Sequence, residues 1–243
     1  MINTRIFYTT NAGLYFSCGN SEILVDGIHD AGTVGFTPMP DEMKKQMASA
    51  EGLFAGQGAL LFTHLHKDHY DEDMVRKYIE QHPETALCGP GLESKGITDI
   101  EGNEDEYRFS YGDFNIIAYK TKHSGPKRMA VPHYSLLLKN TGSGEVFFVA
   151  GDAVLEPELA DKIRKQTEGC TNGLYAFVMA YQLAERKSKA FIDKLSPARI
   201  FLIHQPGPED GAYSKVLRIK SFGVRETPGG VIVEEPVPMN WII

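Results

Sequence analysis

Cysteine is scarce in this chain: Cys18, Cys88 and Cys170 are the only three among 243 residues. They are widely spaced and odd in number, which argues against a disulfide framework and suits a reducing compartment. Long apolar runs are also missing, and nothing approaches the ~20 apolar residues a bilayer span requires. The opening Met1-Ile2-Asn3-Thr4-Arg5 lacks a basic stretch leading into an apolar one, so neither a secretion signal nor a membrane anchor is expected. A cytoplasmic protein is the expectation. Basic charge is in deficit, with 25 Lys and Arg against 32 Asp and Glu and a formal net charge of -7. Such a chain offers no basic field to a phosphate backbone, so nucleic acid is a disfavoured partner and a small-molecule substrate is expected. Low-complexity linkers, short-period repeats and charge blocks are absent too. With 42% hydrophobic and 23% charged residues, the whole of 1–243 reads as one folded domain. No motif speaks to the oligomeric state.

What is present begins as a β-meander. Arg5 to Tyr8, Gly13 to Ser17 and Glu22 to Asp26 have strand character, the last two joined through the turn signal Gly19-Asn20. Met43 and Met47 set among polar residues predict a short helix within 39–50. Ala59 to Thr63 is an apolar run of buried-strand type ending at His64. Asp71 can cap a helix whose Met74, Val75, Tyr78 and Ile79 form one face before Pro83 stops it. The second half repeats this grammar. Strands are predicted at Phe114 to Tyr119, Tyr134 to Lys139 and Glu145 to Ala150, then a helical stretch from Tyr181 to Leu195 and a strand from Arg199 to Ile203. Strands followed by helices, twice over, predict a layered α/β architecture of two helix-covered sheets.

The chemistry is concentrated after the Ala59 run. His64-Leu65-His66-Lys67-Asp68-His69 places four potential metal ligands in six residues. Imidazole with carboxylate suits zinc, manganese or iron. In an extended segment residues two apart share a face, so His64 and His66 can reach one ion. A turn into the following helix would redirect Asp68 and His69 to a second. Further donors end other predicted strands: His123, Asp152 within Ala150-Gly151-Asp152, and His204 within Ile203-His204-Gln205-Pro206. A carboxylate after a glycine has two oxygens to share, which makes Asp152 the candidate bridge.

The order His-x-His-x-Asp-His, then His, then Gly-Asp, then His resembles the metallo-β-lactamase superfamily over nearly the whole chain. Leu24-Val25-Asp26-Gly27 is similar to that family's first buried aspartate segment, Thr63 precedes the motif as it does there, and Phe201-Leu202-Ile203-His204 resembles its last ligand strand. The resemblance implies a four-layer αββα sandwich with a dinuclear site along one edge. By position it implies that His64, His66 and His123 hold one ion, that Asp68, His69 and His204 hold the other, and that Asp152 bridges them. The implied cofactor is two divalent ions, zinc first, manganese or iron as alternatives. Catalytic roles fall to Asp152 and Asp68, the latter also able to relay a proton. A histidine third ligand separates the pattern from zinc β-lactamases, and the length leaves no room for large nucleic-acid-processing or flavin-binding domains.

The implied activity is metal-dependent hydrolysis of a small ester, lactone, thioester, amide or phosphoester. A nucleotide or RNA phosphodiesterase, an iron-dependent redox enzyme and a zinc-stabilised binding module are the competing readings. Around the centre, His133, His29 with Asp30, Tyr70, Tyr181-Gln182 and the basic pair Lys127-Arg128 are further pocket candidates, each also readable as an ordinary surface or core residue. His133 is placed outside the ligand set. His82 reads as surface, and Gly125-Pro126 and Pro206-Gly207-Pro208 as stiff turns.

Overall fold

A computed structural model gives the fold and describes residues 3–34, 36–55, 58–97, 100–125, 130–170, 172–206, 213–225, 227 and 231–243. The first part of the chain supplies β1 (Arg5–Tyr8), β2 (Leu14–Cys18), β3 (Ser21–Val25), α1 (Asp41–Ser49), β4 (Ala59–Leu61), α2 (Glu72–Gln81) and β5 (Ala86–Cys88). There follow β6 (Glu101–Gly102), β7 (Glu106–Tyr111), β8 (Phe114–His123), β9 (Pro132–Asn140), β10 (Val146–Val149), β11 (Ala153–Val154) and α3 (Pro157–Thr167). The last part holds β12 (Leu174–Val178), α4 (Ala180–Ala184), α5 (Arg186–Leu195), β13 (Arg199–Leu202), α6 (Tyr213–Arg225), β14 (Ile232–Glu234) and β15 (Asn240–Trp241). One sheet has the order β15-β1-β2-β3-β4-β5; the other runs β14-β13-β12-β10-β9-β8-β7-β6, with β11 paired to β8.

Strand periodicity assigns the layers. In β10, Phe147 and Val149 join a core shared with Phe16, Ile23 and Val25 of the other sheet, with Phe177 and Phe201 beside them. Their neighbours Val146 and Phe148 face the opposite way, onto Ile163 of α3 and Phe191, Ile192 and Leu195 of α5. On the far side, Tyr15, Leu24 and Leu60 pack against Met43 of α1 and Val75 and Tyr78 of α2. Successive strand side chains point to opposite faces, so these three cores define helix, sheet, sheet, helix. This is the expected αββα sandwich. Strands buried on both faces read as continuous apolar runs, as Val146–Val149 does.

Several elements depart from the sequence reading. The single helix expected from Tyr181 to Leu195 is two, because Glu185 is extended (φ -75°, ψ 130°) and its carboxylate caps α5 by accepting from Ser188 N at 2.8 Å. A side chain that satisfies an orphan N–H of a new helix offsets the interruption of the old one. Strand β8 continues past Tyr119 to His123, since Lys120 to Lys122 remain paired with Tyr134 to Pro132 of β9. The Asp71 cap forms as expected, accepting from Met74 N at 2.8 Å.

Phe147 is fully buried between the sheets, its ring stacked 5.5 Å from Tyr175 and tilted 5.5 Å from Phe16. Phe147→Ala is expected to cost about 3–5 kcal/mol in denaturant unfolding of the metal-free protein. A loss below about 1 kcal/mol would show that the two sheets do not share this core.

Candidate metal centre

Parallel neighbours β3 and β4 end beside each other, and the residues following them build one wall of the site. Asp26, just past β3 with a left-handed φ of 49°, is fully buried. Its Oδ1 accepts from Thr63 N at 2.8 Å, and its Oδ2 accepts from Thr63 Oγ1 at 2.6 Å and lies 2.9 Å from His69 Nδ1. With Nδ1 committed to Asp26, His69 presents Nε2 to the cleft. The chain between makes the turn the motif calls for: His69 N and Tyr70 N both donate to His66 O, at 2.9 and 2.8 Å. That bend brings Asp68 and His69 back beside His64, whose ring lies 4.0 Å from that of His69.

The facing wall comes from the other sheet. His123 ends β8, Asp152 lies between β10 and β11, and His204 follows β13 in a left-handed conformation (φ 55°) with its N–H donating to Asn11 O at 2.6 Å. Asn11 also donates through Nδ2 to Asp68 O at 2.6 Å, tying the two walls together. Glycine is required at 151: φ is 56°, and a Cβ would lie 2.7 Å from His133 Nε2 and 2.9 Å from Thr63 Cβ.

All seven expected donors meet here. Three clusters each bring single ligand atoms within 4.8 Å of one another: His64, His66 and His123; His64, Asp68 and His69; His69, Asp152 and His204. Asp152 stands in the middle, with Oδ1 3.3 Å from His69 Nε2 and 3.5 Å from His204 Nε2, and Oδ2 3.7 Å from His123 Nε2. Asp68 Oδ2 approaches His204 Nε2 at 3.2 Å.

The donor atoms fit cations. His64 Nδ1 is 3.2 Å from Thr63 Oγ1, whose proton already goes to Asp26, so Nδ1 is the donor and Nε2 carries a bare lone pair. His123 Nδ1 likewise donates to Ser124 O. The two Nε2 lone pairs then face each other at 3.3 Å, a repulsive arrangement without a positive charge between them. His69 Nε2, His204 Nε2 and Asp152 Oδ1 are buried and crowd one another at 3.3 and 3.5 Å without a well-formed hydrogen bond, whereas buried polar groups are ordinarily satisfied.

The site's electrostatics follow from burial and this crowding. Burial pushes the His64 and His123 imidazoles down, keeping them neutral as ligands must be. Asp152 is held well below the usual carboxylate range despite its burial, because His204 and His69 face it. Asp68 is lowered against its burial by the His204 contact and by His69. His69 goes the other way. Burial would favour the neutral ring, but Asp26 and Asp152 outweigh it and hold the metal-free imidazole protonated well above the usual histidine value.

Of the remaining candidates, His133 is buried near the start of β9. Its Nε2 accepts from Asp152 N at 2.9 Å, and it belongs to none of the three clusters. His29 is fully buried with Nδ1 accepting from Ala31 N at 3.3 Å. Tyr181 donates to Ser124 Oγ at 2.5 Å on the rim, and Tyr70 packs on Phe62 in the outer core. His82 is half-buried against Tyr78 at the end of α2. Lys127, Arg128, Pro126, Gly207 and Pro208 lie outside the described residues. Two participants escaped the sequence reading: Asn11, which looks like any turn residue, and Phe36, whose ring meets His204 edge-on at 4.6 Å.

No protein-family model matches the sequence. No curated protein matches it either. Solved structures do match. Yeast PDE1 aligns at TM-score 0.62 and 11% identity, over 98% of this chain and 98% of its own. The metallo-β-lactamase fold protein YhfI from Bacillus subtilis aligns at 0.59 and 12%, over 98% and 97%. CmlA, a diiron β-hydroxylase from Streptomyces venezuelae, aligns at 0.61 and 12%, covering 99% of this chain, which spans only 54% of that protein. At these identities the likeness is one of fold. The chain has the metallo-β-lactamase fold.

Loss of a ligand should be distinguishable from loss of a bystander. Elemental analysis of the parent protein purified without chelator should approach two metal equivalents, His66→Ala and His204→Ala should fall short, and His82→Ala should match the parent. Because a metal ion must displace the His69 proton, loading at neutral pH should release acid into weakly buffered solution, and apparent affinity should rise with pH. A pH-independent affinity across the neutral range would contradict the placement of Asp26 and Asp152 around His69.

Proposed function

We propose that this chain is a dinuclear metal-dependent hydrolase acting on a small ester, lactone, thioester, amide or phosphoester. The observation that carries the reading is the pair of bare Nε2 lone pairs on His64 and His123, 3.3 Å apart, in a cleft where His69 and His204 also crowd the Asp152 carboxylate. A purely structural zinc site closes four ligands around one ion. Here six donors surround a seventh, the Asp152 carboxylate, and they form three overlapping clusters where a single closed site would need one, which supports two ions that would share Asp152. His64, His66 and His123 are assigned to one, Asp68, His69 and His204 to the other, and Asp152 to both.

When bound, a divalent pair makes water nucleophilic near neutral pH and polarises a carbonyl or phosphoryl oxygen. The chain's own residues supply the rest. Asp26, Thr63 and the Ser124 carbonyl fix the tautomers of His69, His64 and His123 so that each turns Nε2 inward. Asp152 and Asp68, both held below the ordinary carboxylate range, stay ionised at neutral pH and offset the cations' charge. Asp68 can also accept a proton through a carboxylate oxygen not used as a ligand. Phe36 walls the His204 side with an apolar ring, which limits water there.

Nitrogen and carboxylate donors without thiolate suit zinc first, with manganese or iron as alternatives. CmlA is a diiron β-hydroxylase and yeast PDE1 has the same fold, so metal analysis and phosphodiester substrates belong in the test. Among the described residues no helix is long and apolar enough to cross a membrane. A cytoplasmic setting and a small-molecule substrate are part of the proposal.

A panel of ester, lactone, thioester, β-lactam and phosphodiester substrates, run with zinc, manganese and iron, tests the reading directly. Asp152→Ala should lower turnover of the best substrate by at least about 100-fold, and Asp152→Asn should shift the pH dependence of the residual rate. Near-normal turnover by Asp152→Ala with both ions bound would refute the shared carboxylate.

A further inference from the structure

The peptide that carries Asp152 is gripped at both of its polar atoms. On one edge, His133 Nε2 accepts the Asp152 N–H at 2.9 Å. Since Nε2 accepts, the ring proton is on Nδ1, which donates to Thr121 Oγ1 at 2.7 Å. That hydroxyl lies 3.2 Å from Ser135 Oγ, which in turn donates to Ala150 O at 2.8 Å. A single chain of hydrogen bonds, running through half-buried Thr121, therefore joins β8, which ends in His123, to the strand end that carries Asp152. On the other edge, the Gln182 amide nitrogen donates to Gly151 O at 3.1 Å and to Ala153 O at 2.8 Å, while its Oε1 accepts from Met179 N at 2.8 Å. Gln182 is fully buried and His133 is 2% exposed. Neither belongs to a ligand cluster.

We infer that His133 and Gln182 are positioning residues: through the Gly151–Asp152 peptide they set where the shared carboxylate stands, and so how tightly the second of two ions binds. The inference rests on the dinuclear reading above. A carboxylate that must serve two cations is more sensitive to displacement than one serving a single ion, because a shift that favours one lengthens its reach to the other. Residues that orient ligands without touching the metal characteristically change affinity by about 10–100-fold and leave stoichiometry intact.

Zinc titration against a chromophoric competing chelator, with the visible spectrum of the cobalt-loaded protein, tests this without any substrate. Gln182→Met keeps the side-chain length and removes both donated bonds; His133→Leu removes the acceptor; His133→Gln places an amide oxygen where Nε2 stood. The first two should still take up two zinc ions at saturation, with the second bound about 10–100-fold more weakly and the cobalt bands shifted, while His133→Gln should recover most of the parent affinity. Second-ion affinities within about threefold of the parent in both Gln182→Met and His133→Leu would overturn the positioning role while leaving the dinuclear centre standing. A parent protein that binds fewer than two ions would remove the dinuclear reading and this inference with it. Should His133→Leu fail to fold, Gln182→Met against the parent decides alone.

Discussion

The wall of the candidate metal centre that follows β4 leans on one buried carboxylate that belongs to none of the donor clusters. Asp26 binds the Thr63 backbone, the Thr63 hydroxyl and the His69 ring at once, and each contact has a downstream effect. The backbone bond holds the exit of β4. The hydroxyl, once committed to Asp26, becomes an acceptor for His64 and sets that ring's tautomer. The third contact turns His69. Two of the seven donors are thus oriented through one side chain at zero exposure, where an unpaired charge would be costly. Asp26 is affordable only because all three partners are in place, so the motif after β4 and the aspartate after β3 form one unit.

The same economy of placement explains the concentration of left-handed backbone around the cleft. Asn11, Asp26, Gly151 and His204 all have positive φ, and each lies where a strand or hairpin ends at the site. Non-glycine residues pay for that conformation and keep it when surrounding contacts over-determine it. For His204 those contacts are visible: its N–H is bound by Asn11 O, whose side chain reaches across to Asp68 O. Backbone strain and donor convergence coincide.

Legibility in the sequence tracked locality. The His64 to His69 cluster could be read because its donors are adjacent and follow an apolar run, and the fold expectation held because strand and helix patterns alternate along the chain. Asp152 was readable from a Gly-Asp at a strand end, and the structure adds why the glycine is fixed: His133 and Thr63 occupy the space a Cβ would need. His133 was harder. Pro132-His133-Tyr134 looks like a strand entry at the surface, and only the pairing of β9 with β8 buries it. Gln182 carries no local signal for holding a loop at the end of β10, since α4 reaches that loop only through the parallel placement of β12 beside β10. The break at Glu185 was hidden because no glycine or proline marks it anywhere from Tyr181 to Leu195.

The donors divide by sheet: His64, His66, Asp68 and His69 follow β4 of one, whereas His123, Asp152 and His204 end strands or precede them in the other. Neither sheet alone carries a complete set for two ions, so the cations would act as a clasp closing the sandwich along one rim. Order of assembly follows. A clasp of that kind needs both sheets in place before all of its donors can meet, so complete ligation would come with the assembled sandwich. Once shut, such a clasp would resist separation of the two layers along that rim. Chelation should therefore loosen this rim ahead of the helix-covered outer faces, whose cores lie on the far side of each sheet.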